Sequence, residues 1–136
     1  MATEGELQWL IQKAREEYNR RKQTIADCEK QLDRLEPVYR KLSEIKSDFR
    51  KARASTREVF TEKGSWRGEK HTEFSNAGSR LDDSCGDYYN QLDKAHDLLN
   101  TKIGELKATK SEQLPLIGTL WGNIQRWTVE LQNLTN

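Results

Sequence analysis

Apolar side chains are scarce in this sequence. Of 136 residues only 34% are hydrophobic, against 33% charged, and the mean hydropathy is −0.99. That is poorer in apolar residues and richer in charge than an ordinary globular domain. No helix built from it can be apolar all round; each can carry only a stripe. A thick core is therefore excluded, and an elongated helical architecture is favoured. No apolar run approaches the roughly 20 residues of a membrane span, so stable membrane insertion is not expected. An excess of one charge is missing too: 23 basic and 22 acidic residues leave a net charge of +1. The densest basic cluster, Arg20-Arg21-Lys22, adjoins Glu16 and Glu17 and fits a solvated helix face better than a nucleic-acid patch. The first residues, Met1 to Glu6, lack the charged-then-apolar layout of a secretory signal, so classical Sec export is not expected.

The residues that carry chemistry are equally sparse. Two cysteines, Cys28 and Cys85, have no CxxC spacing. A hairpin turning near residue 64 would set them about fifteen residues out of register, about 20 Å at 1.5 Å per residue, which is beyond disulfide reach. His71 and His96 have no acid or thiol at metal-ligand spacing, and Glu69 and Glu73 beside His71 are ordinary helix-surface company. No phosphate-cradling glycine loop and no GxSxG occurs, and Ser84-Cys85 has no adjacent base. The expectation is a chain with no catalytic residue, no metal site and no cofactor.

What is present is periodicity. Leu7, Ile11, Ala14, Tyr18, Ile25, Cys28, Leu32, Leu35, Tyr39, Leu42 and Phe49 alternate in steps of four and three, with Arg21 and Lys46 at the two seam positions that are not apolar. Such a stripe held over six heptads predicts a long helix packed lengthwise on another. Pro37 removes a backbone donor and costs about 3 kcal/mol inside a helix. The register nevertheless continues on both sides of it, which favours a kinked continuous helix. After Gly64-Ser65 and Gly68 a second stripe runs through Phe74, Gly78, Leu81, Cys85, Tyr88, Leu92, Ala95, Leu99, Ile103 and Leu106. One series in strict sevens, Cys85, Leu92, Leu99, Leu106, Gln113, Leu120, Trp127 and Leu134, crosses Pro115 without losing phase. The expected fold is all-α: one domain over residues 1–136, a long antiparallel, coiled-coil-like hairpin. Helix one covers about 6–60, the turn about 61–67 and helix two about 68–134, bent near Pro115. A third helix folded back at the C-terminus is the alternative.

A two-helix hairpin needs one seam per helix, and this chain carries more. Trp9, Leu10, Val38, Ile45, Tyr89, Leu98, Leu114, Leu116, Trp121 and Val129 lie beside or off the seams. Surplus apolar side chains of this kind either widen the seam or form an interaction surface. The best candidates for partner contact are Trp9, Leu10, Leu120, Trp121, Ile124 and Trp127.

The segment joining the two stripes, Trp66-Arg67-Gly68-Glu69-Lys70-His71-Thr72-Glu73-Phe74, resembles the turn of the small Trp-X-Gly secreted proteins of type VII secretion systems, which are helical hairpins and often carry an aromatic eight residues after the Trp. Trp66, Gly68 and Phe74 are the matching positions. The length of the chain, its charged first helix and its late turn resemble more closely the small helical partners encoded beside LXG-type toxins of Gram-positive bacteria. The likeness covers nearly the whole chain in architecture and residues 66–74 in motif. It implies a chaperone-like targeting factor that pairs with the helical N-terminal domain of an LXG-type effector, with a second small helical partner as an additional component. The implied location is the bacterial cytoplasm before export, with secretion alongside the effector as a further expectation. Tyr89-Asn90-Gln91-Leu92-Asp93 also matches the YxxxD export signal of the wider superfamily, although there the signal usually follows the second helix and here it sits within it. That makes Tyr89 and Asp93 candidate signal residues. Two other readings stand beside this one: a stand-alone secreted homodimer of Trp-X-Gly type, and a spectrin-like structural module in which Trp66 is a core residue.

Overall fold

The computed structural model describes residues 2–61 and 69–136 of the chain. They form two long helices, α1 (Glu4–Thr61) and α2 (Glu69–Thr135), packed against each other as an all-α hairpin. Among the described residues there is no strand. The α1 start is capped locally. Thr3 Oγ1 accepts a hydrogen bond from the Glu6 backbone N–H at 3.2 Å, and Glu4 and Glu6 place negative charge on the first turn, where free N–H groups favour it. Both prolines lie inside helices. Pro37 and Pro115 are exposed, as are Asp33 and Ser111 four residues before them, so each carbonyl deprived of its donor faces water rather than the seam. α2 runs through Pro115 to Thr135, and the alternative third helix is not formed.

The α1 stripe is as expected from Leu7 to Phe49, and it continues through Arg53, Thr56 and Phe60, all half-buried. The α2 stripe needs a correction. The series in sevens from Cys85 to Trp127 lies on the seam, but its companion series is Asp82, Tyr89, His96, Ile103, Lys110, Ile117, Ile124 and Leu131. Leu81 and Tyr88, expected inside, are 44% and 49% exposed, and Ala95 is exposed as well. The physical reason lies on α1. Its seam presents Lys46 and Arg53, and these draw acids inward rather than aliphatics: Lys46 Nζ lies 2.5 Å from Asp93 Oδ1 and Arg53 Nε lies 2.9 Å from Asp82 Oδ1. The expected turn, about 61–67, lies outside the described residues apart from Thr61, the last residue of α1. Both cysteines are free.

The hairpin comprises two compact units, each built from a piece of both helices. The terminal unit joins Met1–Arg34 with Ile103–Asn136, and the turn unit is Leu35–Lys102. In the terminal unit Leu7, Ile11, Ala14, Cys28, Leu32, Ile103, Leu106 and Ile124 are buried, a continuous apolar seam. Two half-buried cations stand beside it: Arg21 is held by Glu17 Oε1 at 2.7 Å and Gln113 Oε1 at 2.9 Å, and Lys110 Nζ lies 3.2 Å from Glu29 Oε1. Among the described residues of the turn unit no apolar side chain is fully buried. Its seam is half-wet: His96 stacks on Tyr39 at 4.4 Å and pairs with Ser43 Oγ at 2.8 Å. Phe49 packs against Tyr88 at 5.0 Å and Tyr89 at 6.4 Å.

Candidate functional site

The expected turn motif is only partly described. Trp66 and Gly68 lie outside the described residues. Phe74 lies within them and packs on Phe60, with ring centroids 4.6 Å apart. Phe60 also covers Gly78: a Cβ added there would sit 2.5 Å from Phe60 Cγ and Cδ1. The glycine is what admits the ring so close to the α2 backbone.

Tyr89 and Asp93 are tied down within the hairpin. Asp93 accepts from Lys46, and the Tyr89 hydroxyl accepts from Arg50 at 2.5 Å. The Lys46 and Arg50 cations lie 5.6 and 5.5 Å from the Tyr89 ring centroid. The Lys46 hydrogen bond holds the Asp93 carboxyl below its usual range, and the same bond holds the Lys46 ammonium above its own. Farther along, Asp82 accepts from Arg57 at 2.6 Å and Arg53 at 2.9 Å. Arg57 first and Arg53 second push its carboxyl far below the ordinary value. One side of the turn unit is thus laced by ion pairs.

Its other side is poor in charge, with Lys102 at the end of its α2 edge. In an antiparallel helix pair, the positions one residue before Tyr39, Lys46, Arg53 and Phe60 on α1 share a side with those one before Asp82, Tyr89 and His96 on α2. Those positions are Val38, Ile45, Ala52 and Val59, and Leu81, Tyr88 and Ala95, all exposed. Not one is charged, in a chain where a third of residues are. The outer rim on α2, Ala77, Ser84, Gln91 and Leu98, is uncharged too, and Leu98 is 72% exposed. On α1 the rim carries Lys41 and Asp48.

The expected partner residues in the terminal unit separate into two groups. Ile124 is 4% exposed and belongs to the interior seam, as do half-buried Leu120 and Trp127; Leu10 is half-buried beside it. Trp9 and Trp121 are the outward pair, 59% and 48% exposed. Trp121 leans on Tyr18 at 5.6 Å, and Lys22 lies 5.3 Å from the other ring of that pair. Arg126 lies 5.8 Å from the Trp127 ring.

Around Trp121 the structure brings out residues that periodicity alone passes over. Gln113 to Gln125 contains no charged residue. Leu114, Leu116 and Trp121 are exposed within it, and Gly118 and Gly122, one turn apart, have nothing within 4 Å of an added Cβ. Another helix could approach the α2 backbone closely over those glycines, with Leu114 and Trp121 beside it. The signal was a thirteen-residue gap in an otherwise dense charge pattern, and it is legible once charge is counted as well as apolar spacing.

Among the described residues no group of three His, Cys, Asp or Glu side chains could hold a metal ion, and no helix is long and apolar enough to cross a membrane. The arrangement defines a class: a helical hairpin with ion pairs along one flank of its turn unit and two charge-poor faces turned to solvent. No family model matches the chain, and neither a curated protein nor a solved structure matches it.

Proposed function

We propose that this protein is a non-enzymatic targeting factor, a chaperone-like partner that packs against the helical N-terminal domain of an LXG-type toxin for export by a Gram-positive type VII secretion system. It acts in the cytoplasm before export, and a second small helical partner can join the same assembly. The observation that carries this reading is the charge-free stretch Gln113–Gln125, with Trp121 and Leu114 exposed beside the open Gly118 and Gly122. A large exposed aromatic beside a flat backbone strip is the composition of an interface centre, and its natural ligand is another helix. The hairpin fold and the resemblance of residues 66–74 to the Trp-X-Gly turn support the same assignment.

The test is co-expression with an LXG-type effector encoded beside this gene. The expected result is a stable complex that Trp121→Asp weakens at least tenfold, while the helicity of the lone protein stays unchanged. Two proteins that purify apart would overturn the proposal. So would a complex indifferent to both Trp121→Asp and Gly118→Leu.

A further inference from the structure

We infer that the charge-poor flank of the turn unit is a self-association surface, covered by the same flank of a second copy lying antiparallel to it. It uses residues other than the charge-free stretch on α2, so it stands or falls separately from effector pairing. The turn unit is where an added layer is wanted. The eight buried apolar side chains among the described residues all belong to the terminal unit, while the turn unit keeps Ile45, Leu81 and Tyr88 in water.

The charges on the rim select the occupant. Lys41 and Asp48 stand one heptad apart on the α1 edge of the flank, too far apart along one helix to pair with each other. Lys41 has an exposed contact with Glu44, at 3.7 Å. A foreign helix would have to bring an acid and a base at that same spacing. A second copy already has them. With the two-fold axis passing at Ile45, Lys41 meets Asp48 of the copy and Asp48 meets its Lys41. Ile45 then meets itself and Val38 meets Ala52.

The contacts Tyr39–His96 and Lys46–Asp93 bracket the same level of α2 at about residues 90–94, midway between Tyr88 and Ala95, so the large ring of one copy falls opposite the small side chain of the other. The α2 rim, being uncharged, meets its own uncharged equivalent. A parallel arrangement of the two α1 helices would set Lys41 on Lys41 and Asp48 on Asp48, which like-charge repulsion disfavours.

Sedimentation equilibrium of the full chain tests this. The expected result is a reversible species of twice the 15.9 kDa chain mass. Its dissociation constant should rise at least tenfold in Ile45→Asp and several-fold in Lys41→Asp. It should recover in Lys41→Asp/Asp48→Lys, because only an antiparallel copy restores both opposite-charge contacts. Lys41 is well exposed, so its replacement leaves the fold intact, and circular dichroism verifies that for Ile45→Asp. A chain that stays at monomer mass overturns the inference. So does a dimer insensitive to Ile45→Asp, or one that the charge swap fails to rescue.

Discussion

At the scale of single residues, the glycines of α2 show how one amino acid can serve opposite ends. Gly78 is buried under Phe60 and has no room for a methyl group, whereas Gly104 has open space above it. Replacing a helical glycine by alanine gains about 0.8–1 kcal/mol of propensity. Gly104→Ala should therefore stabilise the lone chain by about that amount. Gly78→Ala should destabilise it by about 1–3 kcal/mol, since overpacking forces Phe60 off Phe74. Urea denaturation of both variants measures the difference in sign. Phe60 and Phe74 were within reach of sequence reasoning as large apolar residues flanking the turn. Their contact through a bare backbone was not, because it depends on the register between helices.

At the scale of the elements, the ion-paired flank of the turn unit sets a pH dependence. Asp82 and Asp93 both titrate below their ordinary range in the folded chain, through Arg57 and Arg53 in one case and Lys46 in the other. A carboxylate with a depressed folded pKa adds stability that is fully present above its unfolded value, about 3.9. That stability is lost as pH falls toward the folded value. The melting temperature should therefore hold from neutrality down to about pH 4 and fall below it. Asp82→Asn should lower the neutral plateau and flatten the acid limb. Lys46 works in the opposite direction: its raised value adds stability that persists through neutral pH and fades only in strong alkali. These surface pairs contribute modestly to stability. Their larger role is to fix register, since a slip by one heptad would part Lys46 from Asp93 and Arg53 from Asp82 together.

At the scale of the whole molecule, stability is unevenly supplied. The terminal unit owns the buried apolar seam, and the turn unit relies on half-buried rings and ion pairs. Amide hydrogen exchange should show residues 7–34 and 103–131 as the slowest, with 35–60 and 70–102 exchanging by opening of lower free energy. Uniform protection along both helices in the monomeric Ile45→Asp variant would contradict this. Two charge-poor faces formed by different residues also remove a conflict between the readings offered by the sequence. Pairing with a second copy through Ile45 and Tyr88 leaves Trp121 and Leu114 available to another protein.

Much of this architecture was settled by spacing alone. Steps of three and four through Leu7–Phe49 and the sevens from Cys85 to Trp127 specify two long helices that bury one stripe each, because the 3.6-residue turn keeps those positions in line. Continuity past Pro115 followed from the preserved phase. The sequence by itself could not say which side of α2 would face inward between 81 and 96, since Leu81-Asp82, Tyr88-Tyr89 and Ala95-His96 are each an apolar or aromatic residue beside an alternative one position away. That choice belonged to Lys46 and Arg53 on the other helix. Cations held against a seam are tolerated only where acids can reach them, so Asp82 and Asp93 turned toward α1, and Leu81 and Tyr88 were left in water.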